Sequence, residues 1–272
     1  MNPIAQLLDS FRDLGRRVGV RMGRPLKIKI NGRVFYLNAE RNAVYHASNS
    51  TGKLVRMVDV IESAGCILDV GANCGLFSGL CAMRFPGSDI HAFEPSSDLL
   101  PVLRANCEGL GVSIHSTAVG ETSGEVTFFI NPHSQQTNSI ERSAVEAFSQ
   151  GEALIEVQVP CTTLDAFARA EGISRVDVLK IDVQGFEGPV LRGARNLLPG
   201  VSMLFLETTW LDVEGVQRIL PAAEHYGFTH VTIVNPVYTG ADLLFTREPL
   251  RTATKDMLQF KLGSESAGSP WF

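Results

Sequence analysis

The chain has 272 residues, enough for one large α/β domain with a sizeable core, or two small ones. A net charge of -5 gives no reason to expect a nucleic-acid partner, and 44% hydrophobic residues is ordinary for a globular protein. Five scattered cysteines, Cys66, Cys74, Cys81, Cys107 and Cys161, lack metal-ligand spacing and read as free thiols of a reducing, cytoplasmic compartment. No run reaches the ~18 apolar residues of a membrane span.

Residues 1–24 read as an amphipathic helix, with Ile4, Leu7, Leu8, Phe11, Leu14 and Val18 on one stripe. Asp9 and Asp13 interrupt any secretory apolar region. Arg12, Arg16, Arg17, Arg21 and Arg24 make the segment basic. Packing on its own domain or a second subunit is the plain reading, and peripheral membrane contact is the alternative. Next comes a hairpin: Leu26 to Ile30 and Arg33 to Leu37 flank an Asn31-Gly32 turn. Residues 1–50 thus form an N-terminal decoration, 51–262 the main domain and 263–272 a flexible tail.

Leu54, Val55, Val58 and Ile61 mark a helix feeding a strand that ends Leu68-Asp69-Val70. A turn with Gly71, Asn73 and Gly75 follows, and Leu76 to Arg84 then has helical spacing. Glycines at such a turn let the backbone approach a nucleotide-like cofactor. The next strand, Ile90 to Phe93, ends in Glu94, placed to hold a ribose diol. A helix around Leu99 to Leu103 and a strand at Val112 to His115 continue the β-α-β-α-β rhythm of a parallel sheet.

The middle departs from that rhythm. Glu125 to Ile130 and Leu154 to Val159 read as strands joined by a polar connection that carries His133. Such a connection in a compact domain is often a binding loop or lid. A helix begins at Thr163, and Val176 to Ile181 and Val201 to Leu206 are further core strands. Thr229 to Val234 and Leu243 to Thr246 read as a terminal antiparallel pair. Lys180 and Asp182 fall on one side of their strand, with Asp182 at its carboxyl end, where α/β sheets bind ligands.

The ordered set Asp69-x-Gly71-x-Asn73-x-Gly75, Glu94-Pro95, Thr163-Leu164-Asp165, Lys180-Ile181-Asp182-x-Gln184-Gly185-x-Glu187 and Arg192-Gly193-Ala194 resembles the FkbM-type S-adenosylmethionine-dependent methyltransferases. The resemblance spans about Leu54 to Glu207. Asn73 replaces the middle glycine of the wider class, a mild change because Asn accepts a left-handed backbone. The resemblance implies a Rossmann-like, doubly wound, mostly parallel seven-stranded sheet with its last strand antiparallel. It also implies O-methyl transfer to a sugar, glycan or secondary-metabolite hydroxyl.

Carried over by residue, Asp69, Gly71, Asn73 and Gly75 line the methionine end of the cofactor and Glu94 holds the ribose. Asp182 sits nearest the reacting methyl, where it takes the hydroxyl proton, orients the acceptor, or contacts the cofactor amino group. His133 is an alternative base. Glu187, Glu207 and Trp210 either face the acceptor or serve structure. Gln184 stands where many members carry an acid, which disfavours a metal built on paired acids there. A nicotinamide-dependent oxidoreductase shares the architecture, but Gly71-x-x-x-Gly75 lacks its glycine spacing. A non-catalytic cofactor-binding module is the other competing class.

Overall fold

The computed structural model describes residues 26–37, 43–132, 134, 137–149, 151–209, 213–237, 240–254 and 257–262. The expectations placed on residues 1–24, His133, Trp210 and the tail lie outside the described residues.

Strands β1 (Leu26–Ile30) and β2 (Arg33–Leu37) pair antiparallel, and Leu26 lies opposite Leu37. Asn31 at φ 48° and Gly32 at φ 85° supply the two left-handed positions of a tight primed turn. The hairpin is not isolated: Ile28, Ile30, Phe35 and Leu37 join the main core, with Phe35 fully buried.

Helix α1 (Ala43–Asp59) leads into β3 (Cys66–Val70), α2 (Leu76–Arg84), β4 (Asp89–Phe93), α3 (Leu100–Cys107) and β5 (Val112–His115). Then come β6 (Ala118–Val119), β7 (Gly124–Ile130), α4 (Arg142–Glu146) and β8 (Ile155–Thr162). Helix α5 (Leu164–Glu171) is capped by the Thr163 hydroxyl, which accepts from the Ala166 amide at 3.0 Å. The chain closes with β9 (Val176–Ile181), α6 (Glu187–Arg192), β10 (Val201–Thr209), α7 (Val213–His225), β11 (His230–Val237), β12 (Gly240–Thr246) and β13 (Leu258–Lys261).

The main sheet has the order β5-β4-β3-β9-β10-β12-β11, with β13 added beyond β11. From β5 to β10 all pairings are parallel, and β12 inserts antiparallel between β10 and β11. The expected seven strands are therefore extended by an eighth. Leu258-Gln259-Phe260-Lys261 is too short to announce itself by alternation, and it forms because the edge of β11 offers it a partner.

Alternation divides the core onto two faces. Leu68, Val70, Leu179, Ile181, Leu204 and Leu206 pack with residues of α5, α6 and α7. Ile67, Val178 and Phe205 pack with the hairpin, α1 and α2. Both faces are covered, as parallel strands with unbroken apolar runs require. Each such side chain contributes about 2 kcal/mol by burial. Strand order reverses between β3 and β9, which puts the ligand crevice at their carboxyl ends.

Strands β6, β8 and β7 form a separate three-stranded sheet inserted between β5 and β9. It presses closely on the main domain at Gly193, where a Cβ would overlap the Gly120 carbonyl oxygen. No helix among the described residues is long and apolar enough to cross a membrane.

Candidate functional site

The turn after β3 is pinned from both neighbouring strands. Gly71 and Ala72 donate their amides to the Phe93 carbonyl at 3.1 and 2.9 Å. The Asp182 amide donates to the Val70 carbonyl at 3.0 Å. Gly71 takes φ 76°, and a Cβ there would overlap the Asp182 carbonyl oxygen. Asn73 takes φ 51°, the left-handed backbone expected of it, and its Oδ1 accepts from the Cys74 amide at 2.8 Å. Gly75 at φ 75° closes the turn, where a side chain would strike Leu103.

Glu94 stands at the end of β4 with little exposure. Its two oxygens accept from the Asn73 amide at 2.8 Å and the Ser96 amide at 2.9 Å. Burial pushes its pKa up to about 7 against these stabilising amides. The carboxyl thus ties the turn to the second strand and keeps lone pairs beyond those two bonds.

Asp69 is fully buried. Its oxygens accept from the Lys180 ammonium at 2.9 Å and the Ser78 hydroxyl at 2.6 Å. Lys180 also donates to the Gly71 carbonyl at 3.2 Å and lies 3.7 Å from Asp182. Burial opposes the Lys180 charge, but Asp69 and Asp182 outweigh it and raise its pKa. The leading acid therefore acts on the turn through a buried ion pair. Asp69 and Lys180 lie side by side in β3 and β9, a pairing that only the strand register brings out.

A second chain of polar groups runs across the ends of β9, β10 and β12. Gln184, at φ 54°, donates through Nε2 to Asp182 at 2.8 Å and Glu207 at 2.7 Å. Lys53 of α1 donates to Glu207 at 2.6 Å and pairs with Asp242 at 2.8 Å. Asn235 donates to Asp242 at 3.0 Å and to the Lys53 carbonyl at 3.2 Å. The Asp182 and Glu207 carboxyls thus converge on the one Gln184 nitrogen.

Burial and the neighbouring Asp182 push Glu207 up to about 8, against the pull of Lys53. Burial also works to raise Asp182, but Lys180, the hydrogen bond to Glu207 and Lys53 outweigh it and hold the group below the ordinary carboxylate range. Glu207 is thus the harder of the two carboxyls to ionise. Lys53, Asn235 and Asp242 gave no sequence signal, because they lie on three elements that only the fold unites.

Other acids serve the backbone. Glu187 accepts from the Val183 and Gly185 amides, both at 3.2 Å, and burial pushes it up to about 7. Cys74 is raised to about 11 by burial, so its thiol stays protonated and fills space. Asn106 binds the hairpin to the turn by donating to the Tyr36 and Cys74 carbonyls, each at 2.7 Å.

The polar connection of the insert is held closed by its own side chains. Buried Asn131 donates to Thr137 at 3.1 Å and to the Phe148 carbonyl at 3.2 Å. The Ser139 hydroxyl donates to the Val183 carbonyl at 2.9 Å, and Ala144 packs against Gly185. The insert therefore walls the crevice beside Asp182. Among the described residues no group of His, Cys, Asp and Glu has the arrangement of a metal site.

A family model described as the methyltransferase FkbM domain matches residues 69–235. The chain is 25% identical over 206 residues to 31-O-demethyl-FK506 methyltransferase FkbM of Streptomyces tacrolimicus, covering 65% of this chain and 77% of that one. It is 30% identical over 143 residues to Methyltransferase 1 of Beauveria bassiana, covering 47% and 57% of the two chains. It is 23% identical over 171 residues to the hexuronic acid methyltransferase AglP of Haloferax volcanii, covering 62% and 66%. Among solved structures, methyltransferase FkbM from Methylobacillus flagellatus KT superposes with a TM-score of 0.43 at 14% identity, covering 89% of this chain and 59% of that one.

Proposed function

The chain belongs to the FkbM methyltransferase family, and we propose that it transfers the methyl group of S-adenosylmethionine to a hydroxyl of a glycan or small metabolite. The observation that carries this reading is the Asp182–Glu207 carboxyl pair placed beside the Gly71 to Gly75 turn. A hydroxyl must lose a proton as it is methylated, and carboxyls beside the donor turn suit that need.

The residues fit the donor. The turn holds its left-handed backbone at Gly71, Asn73 and Gly75 at the carboxyl end of β3, and Glu94 offers a carboxylate to the ribose hydroxyls. The acidic floor suits a positively charged molecule. The bound donor supplies an activated methyl on a sulfonium, so the protein's task is positioning. Lys180 and Asp69 hold the turn rigid against β9. Asp182, ionised, faces the donor's positive charge and orients the acceptor. The insert excludes water beside it.

The net charge of -5 and the acidic floor favour a small or glycan acceptor over a nucleic acid. Relatives whose names carry 31-O-demethyl-FK506 and hexuronic acid support that choice. The test is incubation with methyl-labelled S-adenosylmethionine and fractionated glycans and metabolites. Mass spectrometry should find a methyl-sized gain, and NMR should show a methoxy carbon. A label on nitrogen, sulfur or carbon overturns the oxygen assignment. Donor binding with no transfer to any fraction favours a binding module.

A further inference from the structure

Asp182, just past the end of β9, and Glu207 of the neighbouring β10 bring their carboxyls to within 2.8 and 2.7 Å of one Gln184 nitrogen. Two carboxyls so close favour holding one proton between them, because double ionisation places like charges in contact. Gln184 bridges both with a single amide nitrogen, and Lys53 grips the far oxygen of Glu207. The charged groups facing the pair are Lys180 of β9, Asp69 of β3, Lys53 of α1, Asp242 of β12 and Glu187 of α6. Two ammonium groups thus meet five carboxyls, counting the pair itself with Asp69, Asp242 and Glu187. The cluster is short of positive charge. The side chains of Asp182 and Glu207 are 23% and 30% exposed, so the pair opens toward the crevice while Asp69 does not.

Asp182 also abuts the donor turn, since its carbonyl fills the space a side chain at Gly71 would take. A sulfonium seated there brings the missing charge. We propose that the Asp182–Glu207 pair distinguishes the sulfonium donor from the neutral thioether product by releasing its shared proton when the donor binds. This rests on the donor site proposed above.

The transfer step then balances. The acceptor oxygen bonds to the methyl carbon, the carbon–sulfur bond breaks with its electron pair moving to sulfur, and the hydroxyl proton passes to Glu207. The pair again holds one proton beside an uncharged sulfur, which is the state of the free enzyme. Product is held less tightly for that reason.

Calorimetric titration of the full chain with S-adenosylmethionine and, separately, S-adenosylhomocysteine tests this without any acceptor. Run from about pH 6 to about pH 9 in buffers of different ionisation enthalpy, it counts protons as well as affinity. Donor binding should release up to one proton. Its affinity should rise relative to the product's by up to about tenfold per pH unit until Glu207 is ionised. Glu207→Gln should flatten that ratio. A ratio that does not change with pH in the wild type overturns the proposal, as does a pH dependence that survives Glu207→Gln. The wild-type ratio decides the matter should the variant not fold. Failure of both ligands to bind at every pH overturns the donor site itself.

Discussion

Glu94 joins the structure of the turn to the proposed ribose contact. Its two oxygens accept from the Asn73 and Ser96 amides, so Glu94→Gln keeps at most one of these bonds and Glu94→Ala neither. Hydrogen bonds to a charged group contribute about 1.5–3 kcal/mol each. Glu94→Ala should weaken S-adenosylmethionine binding by on the order of a hundredfold, read by calorimetry. An unchanged dissociation constant sinks the ribose assignment. Asn73 gives a different contrast. Its left-handed backbone predicts that Asn73→Gly changes the midpoint of denaturation little, whereas Asn73→Val costs about 1–2 kcal/mol. Equal stability of both variants contradicts the backbone argument. These residues were legible because the glycine turn and the strand-end acids are local signals. Lys53 was not, for it pairs with Glu207 from 154 positions away.

At the level of elements, the parallel strands were readable as apolar runs ending in acids. Val176 to Ile181, Val112 to His115 and the helix Leu76 to Arg84 coincide with what their spacing implies. The insert was half readable. Its strands alternated visibly, yet nothing local showed that β6, β7 and β8 leave the main sheet to form their own. Nor did the polar residues of its connection announce their role, since Asn131 and Asn138 turn inward to bond the loop to itself. The docking of this insert depends on Gly193, where any side chain meets the Gly120 backbone. Gly193→Ala should lower stability by about 2–4 kcal/mol, in the range of overpacked sites. Denaturant unfolding measures it, and a loss below about 0.5 kcal/mol would mean that the contact yields freely.

Over the whole molecule, buried carboxyls make stability depend on pH in an unusual direction. Glu94 and Glu187 are raised to about 7 and Glu207 to about 8, from an ordinary value of 4.5. The folded state therefore binds more protons than the unfolded chain between pH 4.5 and about 8. Stability from these groups is complete below the unfolded value and is lost as pH rises through the folded ones. Asp182 works oppositely, but its window lies below 3.8. The ligand-free protein should lose about 3 kcal/mol of unfolding free energy between pH 5 and 8.5, after solvent screening is discounted. Denaturant titrations across that range check this, and a stability that rises with pH refutes it. The position of β12 carries a consequence for synthesis. It lies between β10 and β11 yet follows both in the chain. Until residue 246 has left the ribosome, β10 keeps an open edge of unpaired amides and carbonyls that β11 does not fill. The nascent chain must guard that edge for the time needed to make nearly forty further residues after Thr209, and only then does Asp242 arrive beside Lys53. The arrival of β12, and not the appearance of the glycine turn, sets the moment at which the site is complete.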